Sequence, residues 1–88
     1  MPEGLLAVFM NTMQEDLEAI NAAIGRDNSG EVRSLLHRIR GALAVAQAQE
    51  LVAACSQTEA GLADGVPLAQ DAELHDLVAR IETAIQHL

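Results

Sequence analysis

The sequence predicts an all-α fold, an antiparallel four-helix bundle running up-down-up-down. Three observations predict it. Half of the residues are apolar, yet Phe9 is the single aromatic. Much of the remainder is Ala, Leu, Gln and Glu, strong helix formers, with few of the residues that fill strands. Apolar side chains recur three and four residues apart through four stretches joined by short connections, and such helices fold back on one another. The 88 residues make one domain, 1–88. A chain this small buries only roughly 60–65% of its unfolded surface, so the core has little to spare.

The first helix is expected over 4–24. Phe9, Met13, Leu17, Ile20 and Ile24 form one stripe, Gly25 is placed to end it, and "GRDNSG" is a turn cluster. Asn28 and Glu31 have capping-box spacing for a second helix over 29–46, with Val32, Leu35, Leu36, Ile39, Leu43 and Ala46 on its apolar face. "AQAQE" contains no Gly or Pro, but a single helix from Asn28 to Asp64 would be unusually long. The break is therefore expected near Gln47. The third helix, 48–64, carries Leu51, Val52, Cys55, Thr58 and Leu62, and "ADGVP" closes it with Gly65 and Pro67. The fourth, 69–87, has the clearest stripe, through Leu74, Leu77, Val78, Ile81, Ala84, Ile85 and Leu88.

Composition excludes several functions. Thirteen acids face five basic residues, all arginine, for a formal charge of -8. No broad basic face and no Trp or Tyr are present, which argues against nucleic acid. Cys55 stands alone, so no internal disulfide forms; on a core stripe it reads as a small buried hydrophobe. No segment approaches the roughly 20 apolar residues that span a bilayer, and the N-terminus lacks a leader's basic region and cleavage site. A cytoplasmic module without direct membrane contact is expected. His75 and His87 lie beside the fourth stripe and are expected at the surface. No HExxH, zinc spacing or Gly-rich phosphate loop occurs, so metal binding, ATP binding and self-phosphorylation are not expected. A carrier with an Asp-Ser-Leu attachment site is excluded too, because Ser29, Ser34 and Ser56 all lack that context.

The informative stretch is "RSLLHRIRGALA", residues 33–44, which holds Arg33, Arg38 and Arg40 around His37. At about 100° per residue, His37 lies roughly 150° from the apolar stripe, on the solvent side. Gly41, Ala44 and Ala48 fall near the same line, and Arg33 and Arg40 are the helical neighbours of His37. No acid occurs between Glu31 and Glu50, so a local positive field is expected. Gly41 costs a helix interior roughly 1 kcal/mol relative to Ala and has no evident capping role. A strip this bare lets another surface approach the backbone. Neutral imidazole is a nucleophile near physiological pH, and arginine forks match phosphoryl oxygens. The combination suits a histidine that takes a phosphoryl group from another protein's active site. The rival reading is a helical adaptor or dimerisation bundle, with His37 an ordinary solvated residue.

At "HRIRG" the chain resembles the histidine-containing phosphotransfer (HPt) domain of bacterial multistep phosphorelays. That family's pattern is a histidine, an apolar residue two on, Lys or Arg three on, and Gly four on, here His37, Ile39, Arg40 and Gly41. Ala42, Ala44, Leu51 and Cys55 follow at matching spacing, and the first helix resembles the family's lead-in. Arg40 replaces the commoner Lys, Ala42 stands where Ser is frequent, and Gln47 stands where a turn Gly is expected. The resemblance implies that His37 accepts the phosphoryl group, that Arg40 stabilises it, and that Glu59 orients the ring. A fold-back at 47–48 puts Glu59 level with His37. Arg33, Gly41, Ala44 and Ala48 are then the docking surface. The implied partners are receiver domains of a hybrid kinase and of a response regulator. The domain is expected to need no cofactor of its own, the receiver supplying Mg²⁺. Analogy favours the C-terminal module of a membrane-bound sensor histidine kinase over a free-standing shuttle.

Overall fold

In the computed structural model, which describes residues 3–62 and 67–87, the chain runs α1 (Glu3–Gly25), α2 (Ser29–Val45), α3 (Gln49–Gly61), a 3₁₀ turn (Leu68–Gln70) and α4 (Ala72–Gln86). α1 packs on α2, α2 on α3 and α3 on α4, and α4 closes the bundle against α1. The expected all-α four-helix bundle is what forms. Among the described residues no helix is long and apolar enough to cross a membrane.

The α1–α2 and α2–α3 connections are built alike. After α1, the Asp27 amide bonds the Ile24 carbonyl and the Asn28 amide bonds that of Ala23. After α2, Gln47 bonds Ala44 and Ala48 bonds Leu43 in the same pattern. Each is a Schellman turn, which satisfies carbonyls at the helix end but places one residue in the left-handed region. Those residues are Asp27, at φ +53°, and Gln47, at φ +62°. Gly25, expected past the end of α1, is instead its last helical residue. The break predicted at Gln47 is found there, made by a non-glycine residue in a glycine's conformation.

The helix starts follow side-chain caps. Asn28 Oδ1 accepts from the Glu31 amide at 3.1 Å, while the Glu31 carboxylate turns to Arg26 at 2.7 Å. Only half of the capping box is therefore made. Asp71 Oδ1 accepts from the Leu74 amide at 3.0 Å, which starts α4 at Ala72 rather than at 69. Leu68, not anticipated as core, is buried in the preceding 3₁₀ turn, and its amide donates to Asp27 Oδ1 at 2.9 Å. α3 ends at Gly61, three residues before its expected limit, because Leu62 is already extended. Asp64, Gly65 and Leu88 lie outside the described residues.

The predicted stripes form the core, from Met13, Leu17, Ile20 and Ile24 on α1 to Leu74, Leu77, Val78, Ile81 and Ile85 on α4. Ala46 is a correction: α2 stops at Val45, so Ala46 is an exposed cap residue rather than the end of the stripe. Phe9, Leu51 and Val52 are only partly covered. Among the described residues the core also takes in one charge, Asp16, whose side chain is 9% exposed and accepts from Arg38 Nη2 at 3.0 Å. A carboxylate is costly to bury unless paired, and Arg38 supplies the pair from α2.

Candidate functional site

His37 sits in the middle of α2 opposite Val32, Leu36, Ile39 and Leu43, and its side chain is 69% exposed. Helical periodicity alone produces that exposure. Arg40, one turn on, behaves differently. Its side chain is 31% exposed and lies in the seam between α2 and α3. There Arg40 Nη1 donates to Glu59 Oε2 at 2.9 Å and to Ser56 Oγ at 3.1 Å. Arg40 Nη2 donates to His37 Nδ1 at 2.7 Å. One guanidinium thus joins three side chains from two helices, a use for which its fixed fork of donors is suited.

Glu59 was expected beside His37, and the structure puts it there. Its Oε1 lies 3.8 Å from His37 Nδ1. That distance permits electrostatic attraction but is too long for a hydrogen bond. The group bonded to Nδ1 is Arg40, not Glu59. Ser56 is the member that sequence reading missed. Its signal was its position three residues before Glu59, on the same side of α3.

The predicted docking residues separate. Gly41 and Ala44 are both exposed on α2, C-terminal to His37. Among the described residues a Cβ built on Gly41 meets nothing within 4 Å, so no packing there requires the glycine. Ala48 leaves this line. The left-handed Gln47 turns the chain, and Ala48 becomes the N-cap residue of α3, half-buried against the core. Arg33 is exposed but engaged, donating from Nη2 to the Leu62 carbonyl at the end of α3, at 3.2 Å. The expected positive field is also corrected. Arg38 is paired with Asp16 and Arg40 with Glu59, so acids from α1 and α3 balance both.

The other titratable groups stand apart. His75 Nε2 donates to the Ala69 carbonyl at 3.0 Å, and His87 Nδ1 to the Thr83 carbonyl at 2.7 Å. Both are surface rings, as expected. Cys55 is fully buried on α3. Burial, reinforced by the Glu59 charge and partly offset by Arg40 and Arg80, pushes its thiol up to about 11. Among the described residues no group of three His, Cys, Asp or Glu side chains is placed to hold a metal ion.

The fold and site define the class: a four-helix bundle with an exposed imidazole backed by an arginine and a carboxylate in the groove between two helices. The comparisons name the family. The family model for the Hpt domain matches residues 4–87, and the chain belongs to that family. It therefore has a phosphotransfer role in two-component signalling, with receiver domains as its kind of partner. No curated protein and no solved structure matches the chain.

Proposed function

We propose that His37 is the phosphoacceptor, taking a phosphoryl group from the aspartate of one receiver domain and passing it to that of a response regulator. The observation that carries this reading is the exposed His37 ring held against Arg40 and Glu59, next to a glycine that no packing among the described residues requires.

In the forward step the Nε2 lone pair attacks phosphorus in line with the aspartyl oxygen. The Nε2–P bond forms as the O–P bond breaks, and the aspartate carboxylate leaves with the electron pair. Charge is spread over the phosphoryl oxygens in such a transition state, so catalysis is mostly positioning and electrostatics. Arg40 is the cation within reach of the ring; Arg33 lies one turn back, bound to Leu62. Glu59 steadies the ring from 3.8 Å by its charge and by anchoring Arg40, which bonds Nδ1. The receiver docks over Gly41 and Ala44, and Mg²⁺ is assigned to the receiver's acidic pocket. The reverse step returns the group to an aspartate, so the domain is a shuttle without kinase activity of its own. A cytoplasmic setting, within a sensor histidine kinase, is the context that suits such a shuttle.

Incubation with a phosphorylated receiver domain tests the reading. The expected product is an acid-labile, base-stable phosphoprotein that His37→Gln abolishes. Label persisting in His37→Gln, or absent with every cognate receiver, would return the molecule to the helical adaptor reading. Gly41→Arg is expected to block transfer while the bundle stays folded.

A further inference from the structure

The contact between Arg40 and His37 has a chemical consequence that charge alone does not convey. A guanidinium has five N–H donors and no acceptor. With Arg40 Nη2 at 2.7 Å from Nδ1, that ring nitrogen must present its lone pair. The proton of the neutral imidazole then sits on Nε2, because the hydrogen bond at one ring nitrogen decides the state of the other. Nε2 is the nitrogen that attacks in the proposed function, and in this arrangement it has no lone pair to offer.

We infer that Arg40 is a tautomer gate: in the free domain it holds His37 in an unreactive form and releases it when an anionic phosphoryl donor arrives. This rests on His37 being the phosphoacceptor. Two further features of the site fit it. Arg40 is anchored by Ser56 and Glu59 independently of the ring, so it can give up one partner and keep the others. Glu59 Oε1 waits 3.8 Å from Nδ1, close enough to accept from an Nδ1–H after a small rotation of the ring. A phosphoryl group competes for Arg40, since guanidinium bonds phosphate oxygens more strongly than it bonds a neutral nitrogen. Once Arg40 turns to it, the Nε2 proton passes to solvent and Nδ1 gains one from solvent, which reaches this exposed ring. Nδ1–H then donates to Glu59, and Nε2 is left with its lone pair. The proton count is unchanged. The result is a histidine that becomes nucleophilic chiefly when its donor is present. Arg40 acts on the attacking nitrogen through the ring, in addition to its proposed contact with the phosphoryl oxygens.

The resting tautomer is read directly from two-bond ¹H–¹⁵N correlations of the imidazoles, at about pH 8, where an ordinary histidine is neutral. His87 is an internal reference, because its Nδ1 donates to a carbonyl and so carries the proton. In the wild-type protein His37 is expected to show the opposite pattern, with the proton on Nε2. In Arg40→Met the ratio of the two tautomers is expected to move toward the His87 pattern by about tenfold, the scale of one charge-assisted hydrogen bond on an exposed ring. Arg40→Met combined with Glu59→Ala is expected to lose that shift. A wild-type His37 already protonated on Nδ1 overturns the gate, and this spectrum decides the matter even if a variant fails to fold. An unchanged ratio in folded Arg40→Met overturns it as well. Labelling with a small phosphoramidate donor keeps the two proposals apart. Label on His37 with the wrong resting tautomer removes the gate and leaves the acceptor. No label on His37 removes the acceptor, whatever the tautomer.

Discussion

Two seams meet on α2, and they use the same chemistry to different ends. In the α1–α2 seam, Arg38 reaches across to Asp16, a carboxylate with almost no access to water. Nearby in sequence, in the α2–α3 seam, Arg40 reaches across to Glu59. The first pair is closed, each partner serving the other. The second has a third member, because Arg40 also donates to the exposed His37 ring. The turns differ in the same way. Asp27 spends its side chain on the Leu68 amide, tying the α1–α2 turn to the 3₁₀ turn that precedes α4, whereas Gln47 is exposed. In the first seam one arginine matches a buried carboxylate; in the second the arginine is shared with a ring that has a carboxylate oxygen as an alternative partner within reach.

The largest expected effect breaks the closed pair. Arg38→Met strands the Asp16 carboxylate among apolar side chains and is expected to cost about 2 kcal/mol, read from the urea unfolding midpoint. Arg40→Met should cost no more than about 1 kcal/mol, because Glu59 still has His37 and Ser56 beside it. Equal losses in the two variants would mean that the α2–α3 seam is as structural as the α1–α2 seam.

The turns give the next contrast. A non-glycine residue in the left-handed region costs roughly 1–2 kcal/mol, offset partly by the freedom that glycine adds to the unfolded chain. Gln47→Gly is expected to raise stability by about 1 kcal/mol on balance. Asp27→Gly relieves the same strain but gives up the bond to Leu68, so its net change should be close to zero. Gly41→Ala is expected to add up to about 1 kcal/mol, since its Cβ points into open space. A stability gain at Gly41 would mark the glycine as kept for something other than folding.

The smallest effect at neutral pH belongs to Cys55. Its folded-state pKa is raised from 9.0 to about 11, so between those values the unfolded chain loses the thiol proton while the native chain keeps it. Stability is then greatest below pH 9 and falls as pH rises toward 11. Cys55→Ala should remove this part of the slope in unfolding measurements across that range. At pH 8 the native thiol should react with a disulfide reagent only as fast as the bundle opens.

Much of the molecule was legible in the sequence because it is local. Periodicity located four helices and their buried stripes, and the same periodicity put His37 on the solvent side. The match of spacing about a turn at Gln47 was enough to bring Glu59 to the level of the histidine. Boundaries were less legible where caps compete. Asp71 moved the start of α4, and the Leu62 backbone cut α3 short. Ala48 shows the same limit: it shared a helical line with His37 only as long as the helix was assumed to continue.

By itself, then, the sequence determined which segments are helical, which face of each is apolar, and that one histidine stands exposed among arginines beside a glycine. The tertiary structure alone decided what those arginines do. Asp16 and Glu59 lie on other helices, and only the packing of α1 and α3 against α2 brings them to Arg38 and Arg40. Charges that look like a positive patch along the chain become one structural pair and one site. Which nitrogen of His37 holds its proton is decided there too, because hydrogen bonds depend on distances of tenths of an ångström that no spacing along a helix can specify.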